Sequence, residues 1–223
     1  MGTVCLAERD DAEFNKQVAI KLVTRGMDTA ALLRRFRQER QILARLEHPY
    51  IAHLLDGGST GDGPPYLVME YVDGTAITAY CAARQLGTRE RVELFRKVCA
   101  AVQSAHQNLV VHRDLKPGNI LVDSNGLPKL LDFGIAKLLG PDEGPQLTMG
   151  AGGMQLLTPD YASPEQVRGE AITTSADVYA LGAILYELVT GVRPHRRRTY
   201  TATEIERAVC EQEPFNAGNR RAV

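Results

Sequence analysis

The segment VVHRDLKPGNILV, residues 110–122, constrains the fold of this chain more than any other stretch. Two apolar, β-prone runs flank a dense group of polar side chains, which are His112, Arg113, Asp114, Lys116 and Asn119. A solvated surface loop does not need such flanks, because residues of this apolar kind are usually buried. The segment therefore predicts a site for charged chemistry held between two buried elements.

The residues that follow predict a β-hairpin, because an Asp-Ser-Asn-Gly turn separates two apolar runs in ILVDSNGLPKLLDFG. If Asn125 and Gly126 form a two-residue turn, Asn119 lies opposite Asp132 at the open end, with a one-residue slip as the alternative. Asp114, Asn119 and Asp132 then converge. Their oxygen donors suit Mg²⁺ and phosphate chemistry better than zinc.

The part of the chain before residue 72 predicts strands and one helix. The predicted strands are TVCLAER, QVAIKLV, IAHLLDGG and PYLVMEYV. The predicted helix is TAALLRRFRQERQILARLEH, with an apolar stripe at Leu32, Phe36, Leu43 and Leu46. Glu39 falls within that stripe. It either reaches solvent at the edge of the stripe or points inward to a cation, because an unpaired buried charge is very costly.

From Ala76 onward the pattern is helical. The predicted helices are AITAYCAARQLG, TRERVELFRKVCAAVQSAHQ with Thr88 as its N-cap, and SADVYALGAILYELVTG. The third is apolar nearly all round, which predicts a buried helix. A strand-rich part followed by a helix-rich part predicts an α+β fold of two lobes with a cleft between them.

Charge and cysteine spacing argue against several other classes of protein. The net charge of -1 gives no electrostatic case for binding nucleic acid or an anionic membrane. No apolar stretch approaches the roughly 20 residues of a membrane-spanning helix. The four cysteines have no paired spacing, which argues against zinc and a disulfide scaffold and predicts a reducing, cytoplasmic compartment.

Five motifs, in this order, resemble those of a protein kinase, in the style of the bacterial Ser/Thr kinases. They are Val18-Ala19-Ile20-Lys21, Glu39, His112-Arg113-Asp114 with Asn119, Asp132-Phe133-Gly134, and Ser163-Pro164-Glu165. The resemblance implies a small antiparallel β lobe with one helix, a larger and mainly helical lobe, and an ATP cleft between them. It also implies transfer of the γ-phosphoryl group of ATP to a Ser or Thr hydroxyl of a protein substrate.

The resemblance gives two pairs of residues a role in holding ATP. Lys21 would hold the α- and β-phosphates, with Glu39 fixing its position. Asn119 and Asp132 would bind Mg²⁺, which bridges the phosphates.

Three further residues are implied to act on the protein substrate. Asp114 would accept or orient the proton of the attacking hydroxyl. Lys116 would reach the transferring phosphate and is a mark of Ser/Thr specificity in this family. Thr158 resembles the threonine that ties its segment to Asp114 and Lys116, which is also a Ser/Thr feature.

The segment LVMEYVDG resembles the hinge between the two lobes of a kinase. The residues that would surround adenine are Val4, Ala19, Met69, Glu70, Val72 and Leu121. Met69 would guard the back pocket, and the backbone groups of Glu70 and Val72 would hydrogen-bond adenine. Leu43, Leu54, His112 and Phe133 would stack as an internal column, although ordinary core packing predicts the same burial.

At both ends of the chain the resemblance is incomplete. Only Gly2-Thr3-Val4 matches the glycine-rich loop that covers the phosphates, and the family's helices continue past the region of Phe215. The resemblance predicts a partial domain. Residues 1–71 would be a first lobe lacking the start of that loop, and residues 72–223 a second lobe lacking its final helices. An apolar surface left uncovered there would allow self-association.

Two surface features and two rival functions stay open at this point. Thr148 is a candidate phosphosite or a loop residue without that role, and the basic run 196–198 is a solvated loop or a docking site for an acidic substrate. A nucleotide-binding scaffold without turnover is opposed by the presence of Lys21, Asp114, Asn119 and Asp132. A small-molecule kinase is opposed by Thr158 and by Ser163-Pro164-Glu165.

Overall fold

The computed structural model describes residues 3–8, 16–23, 30–59, 65–133, 159–195 and 201–213, although not every side chain of the first helix. The first lobe contains an antiparallel sheet of four strands in the order β1-β2-β4-β3. They are β1 (Thr3–Glu8), β2 (Gln17–Leu22), β3 (Leu54–Ser59) and β4 (Pro65–Glu70), and helix α1 (Ala30–Leu43) lies between β2 and β3 in sequence. The four predicted strands are confirmed.

The register of this sheet determines which residues face the second lobe. Val4 lies opposite Lys21, and Ala19 lies opposite Met69. Directly paired residues and those two positions along share a face of a sheet. The face therefore carries Val4, Leu6, Ala19, Lys21, Leu67 and Met69.

The second lobe is mainly helical. Its helices are α2 (Ile77–Ala83), α3 (Thr88–Gln107), α4 (Pro164–Arg168), α5 (Thr174–Thr190) and α6 (Ala202–Cys210). A small antiparallel sheet of β5 (Gly74–Ala76), β6 (Ile120–Asp123) and β7 (Pro128–Leu130) completes it, in that order. Buried residues of α3 and α5, among them Phe95, Val98, Ala180 and Ile184, belong to the main apolar core.

A second apolar cluster joins the two lobes. Leu43, Leu46 and Leu67 of the first lobe pack in one buried cluster with Ala105 and Val110 of the second. The polar loop that follows Val110 therefore starts from a buried position. The predicted apolar stripe is confirmed at Phe36 and Leu43 of α1 and at Leu46, which follows the end of the helix, while the side chain of Leu32 lies outside the described part of the structure.

The hairpin of β6 and β7 differs from the prediction by one residue. Asn119 accepts a hydrogen bond from the N–H of Leu131 at 2.8 Å, so Leu131 and not Asp132 lies opposite it. The turn spans residues 124–126, with Gly126 at a φ of 76°. The Asp123 carboxylate accepts the N–H of Leu127 at 2.8 Å and stabilises this longer turn. The two-residue turn was therefore the wrong prediction, and the alternative of a one-residue slip is confirmed.

Thr88 is the first residue of α3 and not its N-cap, which is a second correction. Gly87 occupies the N-cap position. The Glu90 carboxylate accepts the N–H of Gly87 at 2.8 Å, so a glutamate three residues into the helix satisfies the backbone donor at its start.

Helix α5 is apolar along most of its length but is not covered on every side. Ala180, Ala183, Ile184 and Leu188 are buried, whereas Val178 is 61% exposed. Self-association through such a surface stays a prediction.

Candidate active site

The polar loop between α3 and β6 is anchored by one buried carboxylate at the start of α5. Asp177 is 1% exposed and accepts the backbone N–H groups of His112 at 2.7 Å and Arg113 at 2.9 Å. Nε2 of His106 lies 2.8 Å from the same carboxylate and donates to it, because a carboxylate only accepts. A buried charge is tolerated when hydrogen bonds replace its hydration. Asp177 therefore fixes the beginning of the loop.

His112 is fully buried and links the loop to the segment after β7. Nδ1 of His112 accepts the N–H of Asp114 at 3.3 Å, and Nε2 lies 2.8 Å from the carbonyl oxygen of Leu131. Burial lowers the pKa of His112, although the nearby charge of Asp177 opposes this shift. The ring is therefore neutral and carries its proton on Nε2, the atom that faces a carbonyl. Its centroid lies 4.8 Å from that of Phe133.

Asp114, Lys116 and Asn119 form a compact cluster at the end of the loop. Nζ of Lys116 lies 2.9 Å from Oδ2 of Asp114. The amide nitrogen of Asn119 donates to the same oxygen at 3.2 Å and to the Asp114 carbonyl at 2.8 Å. The short helical turn of residues 117–119 places Asn119 here, because its N–H bonds the Lys116 carbonyl. The loop thus presents one carboxylate held by a cation and an amide.

Lys21 and Asp132 connect the two lobes across the cleft. Nζ of Lys21 donates to Oδ1 of Asp132 at 2.8 Å. Lys21 lies on β2, and Asp132 follows β7 with a φ of 57°, in the left-handed region. The predicted partner of Lys21, Glu39, belongs to α1, but its side chain lies outside the described part of the structure.

A cleft of about 250 Å³ lies between the face of the first sheet and the β6–β7 hairpin. The residues predicted to surround adenine all line it, and they are Val4, Ala19, Met69, Glu70, Val72 and Leu121. Asn119 and Asp132 line the same cleft. The space is therefore apolar for most of its lining and carries an amide and a carboxylate that can meet a charged group.

A smaller cavity of about 30 Å³ adjoins the cleft, and Met69 and Asp132 line both. Leu43, Leu54 and Phe133 line it together with Met69. Because the His112 ring packs on Phe133, the structure brings together all four residues of the predicted internal column.

Glu70 carries a set of contacts that the sequence reading missed. Its carboxylate pairs with Lys129 Nζ at 2.8 Å and accepts the N–H of His53 at 3.1 Å. Partial burial would raise the pKa of Glu70, but the hydrogen bonds from Lys129 and His53 outweigh it and hold the pKa below its usual value. Lys129 lies on β7 between Pro128 and Leu130, which are both buried. The alternation of apolar and polar residues in this strand was the available signal that the Lys129 side chain points away from the core. These contacts fix the hinge to β7.

Four of the sequence predictions lie outside the described residues. They concern Thr158, Thr148, Gly134 and the basic run 196–198. Ser163, Pro164 and Glu165 are described and form the start of α4.

Comparison with known proteins identifies the family. The model of the protein kinase domain matches residues 1–219. Serine/threonine-protein kinase PknB of Mycolicibacterium smegmatis is 40% identical over 200 residues, which are 87% of this chain and 31% of that protein. Serine/threonine-protein kinase PrkC of Bacillus subtilis is 40% identical over 198 residues, which are 87% of this chain and 29% of that protein.

A solved structure gives the same result for the fold. The crystal structure of Rad53 1-466 in complex with AMP-PNP matches with a TM-score of 0.67 at 26% identity, over 92% of this chain and 50% of that chain. The chain therefore belongs to the protein kinase domain family, whose members use ATP. The predicted two-lobed α+β fold and the resemblance to bacterial Ser/Thr kinases are confirmed.

The chain spans about a third of the length of these two bacterial relatives, 31% and 29% respectively. Among the helices that the structure describes, none combines the length and the apolar character needed to cross a bilayer.

Proposed function

We propose that this chain is the catalytic domain of a Ser/Thr protein kinase that transfers the γ-phosphoryl group of ATP to a hydroxyl of a protein substrate. The observation that carries the proposal is the cluster around the Asp114 carboxylate, which Lys116 and Asn119 contact at 2.9 and 3.2 Å. It lies beside a cleft of suitable volume for a nucleotide base, with Asn119 common to both.

The cleft supports a binding mode for the nucleotide. Val4 and Ala19 would cover one side of the adenine ring and Leu121 the other, while the backbone groups of Glu70 and Val72 would hydrogen-bond its edge. The charged phosphates would then extend toward Lys21. Lys21 is a point charge near the polar end of the cleft, and Glu39 is proposed to fix its position.

The chemistry of the donors fits Mg²⁺. Asp132 offers a carboxylate and Asn119 an amide oxygen, since the amide nitrogen is used by Asp114. The described residues contain no group of three or more His, Cys, Asp or Glu side chains that would hold a metal ion by themselves. Mg²⁺ is ordinarily held by one or two carboxylates together with substrate phosphates. When bound, it would neutralise charge on the phosphates.

The remaining residues would act on the substrate hydroxyl, on the transferring phosphoryl group and on the segment that contains Thr158. Asp114 would accept its hydrogen bond and orient it, and can take its proton. Lys116 would stabilise negative charge that develops on the transferring group, because a fixed cation in a partly desolvated site costs no reorganisation. Thr158 is proposed to tie its segment to Asp114 and Lys116.

The test is phosphotransfer by the full protein, with labelled ATP and Mg²⁺, onto a generic basic protein, a tyrosine polymer and small alcohols. The proposal predicts label on Ser or Thr of the protein acceptor. Label on small alcohols alone would indicate a small-molecule kinase. Binding of ATP without transfer to any acceptor would indicate a nucleotide-binding scaffold and contradict the proposal.

A further inference from the structure

The side chain of Gln166 makes two hydrogen bonds that lead in opposite directions. The side-chain oxygen Oε1 accepts the N–H of Ser163 at 3.0 Å. In return, the backbone N–H of Gln166 donates to the Ser163 hydroxyl oxygen at 3.4 Å. This reciprocal pair is a capping box at the start of α4. The other end of the same amide, Nε2, donates to the carbonyl oxygen of Arg113 at 2.8 Å.

The Arg113 carbonyl belongs to the peptide group that leads directly into Asp114. The N–H of that same peptide group donates to Nδ1 of His112 at 3.3 Å. Because a peptide group is planar, a bond at each end fixes the orientation of the whole plane. Arg113 has a φ of 65°, which a residue with a side chain adopts only when its surroundings hold it there. Gln166 is therefore one of the contacts that set the direction of the Asp114 side chain.

The amide makes both bonds because it carries an acceptor and a donor, and an ionised carboxylate cannot replace it. The Ser163 N–H can only donate, so it must face the oxygen of Gln166, and the Arg113 carbonyl can only accept, so it must face the nitrogen. An ionised glutamate at this position would still cap α4. It would place a second oxygen against the Arg113 carbonyl, so the bond to the loop would be lost.

We propose that Gln166 is a positioning residue for phosphotransfer, which couples the start of α4 to the catalytic loop by holding the peptide group between Arg113 and Asp114. This inference rests on the proposed function. It assigns to a residue outside the recognised motifs a role in orienting Asp114.

The test compares the full wild-type protein with Gln166→Glu, Gln166→Ala and the control Gln103→Glu, which makes the same charge change at an exposed position of α3. Four quantities are measured for each protein. They are kcat, KM for ATP, the melting temperature and the hydrogen exchange rates of the amides of residues 112–119.

For Gln166→Glu we expect kcat to fall by about tenfold to a hundredfold, the usual effect of misplacing a reacting group. The KM for ATP and the melting temperature should stay near the wild-type values, because the cleft and the cap of α4 are intact. The loop amides should exchange faster, by about twofold to tenfold if the bond from Gln166 to the Arg113 carbonyl contributes as much as an ordinary hydrogen bond. Gln166→Ala should also lower the melting temperature, and Gln103→Glu should change nothing.

A pH profile gives a readout that a purely structural role would not produce. Once protonated, the substituted carboxyl can donate to the Arg113 carbonyl while still accepting the Ser163 N–H. The ratio of the Gln166→Glu kcat to the wild-type kcat should therefore rise as the pH falls. Asp114, His112 and Glu165 are present in both proteins, so the same profile measured for Gln103→Glu serves as the reference for the charge change.

Wild-type kcat and wild-type exchange in Gln166→Glu would overturn the inference. A fall in kcat that accompanies a lower melting temperature and does not recover at low pH would also overturn it. A wild-type protein without phosphotransfer would contradict the proposed function instead, and the exchange rates would still decide whether Gln166 holds the loop.

Discussion

Replacing Asp177 with alanine removes the acceptor that holds the start of the catalytic loop. Three donors meet its buried carboxylate, namely the N–H groups of His112 and Arg113 and Nε2 of His106. A buried donor without a partner costs about 1–3 kcal/mol. Three such donors would cost about 3–9 kcal/mol, but the variant no longer buries a charged carboxylate, which offsets part of this cost. The free energy of unfolding should therefore fall by about 3–6 kcal/mol. This is a large part of the ~5–15 kcal/mol that stabilises a typical domain.

The assay is urea and thermal unfolding of the wild-type protein, Asp177→Ala and Asp73→Ala. Asp73 is an exposed carboxylate near the hinge, so its removal should change stability by less than about 0.5 kcal/mol. At about 2–4 °C per kcal/mol for a domain of this size, Asp177→Ala should melt about 6–24 °C below wild type.

Hydrogen exchange shows whether the loss arises in the loop. The amides of His112 and Arg113 should exchange much faster in Asp177→Ala than in wild type. The buried amides of α3 should remain the more protected ones in both proteins. A stability loss below about 1 kcal/mol, with both amides still protected, would refute the assignment of Asp177 as the anchor.

Four other substitutions test separate parts of the site and the fold. Lys21→Met and Asp132→Asn should each impair nucleotide binding, and their effects should be non-additive by about 0.5 kcal/mol or more, because the two side chains meet at 2.8 Å. Additive effects in a nucleotide titration would argue against coupling. Glu70→Gln should be less stable than wild type at neutral pH. Because the Glu70 pKa is lowered in the folded state, its contribution is present above the unfolded value and is lost as the pH falls through the folded value. A difference in unfolding midpoint that does not shrink as the pH falls below the unfolded value would contradict this cause. Leu109 has a φ of 60° and is 93% exposed, so Leu109→Gly should stabilise the fold by about 1 kcal/mol in urea unfolding, and a loss of stability would show that the side chain packs.

The sequence was sufficient to predict the helices, the strands and the two lobes, because the patterns that indicate helices and strands lie within short stretches of the chain. Runs of β-branched and apolar residues between polar or Gly/Pro-rich connections predicted the strands of the first sheet, and apolar stripes predicted α1 and α3. The predicted hairpin register was wrong by one residue. Asp132 nevertheless lies at the open end of the hairpin near Asn119, because it follows directly after Leu131, the residue opposite Asn119. Turns of two and three residues are both compatible with the same turn sequence, so the register needed the contacts of Asp123.

The missed contacts join residues that are far apart in sequence and have no motif of their own. His106 and Asp177 are separated by 71 positions, and Gln166 and Arg113 by 53. Glu70 and Lys129, which are 59 apart, meet only because β7 lies beside the hinge. A single sequence carries no periodic signal for such pairs, because tertiary packing decides which side chains meet.

The proposed role of Asp114 is to act on the substrate hydroxyl and not on the nucleotide. The most direct measurement is therefore Asp114→Asn in the full protein, with phosphotransfer and ATP affinity determined on the same preparation. We expect transfer to Ser or Thr to be abolished while ATP binding stays within a few-fold of wild type, since the cleft lining is unchanged. Transfer at the wild-type rate, or a loss of ATP binding that parallels the loss of transfer, would contradict this role.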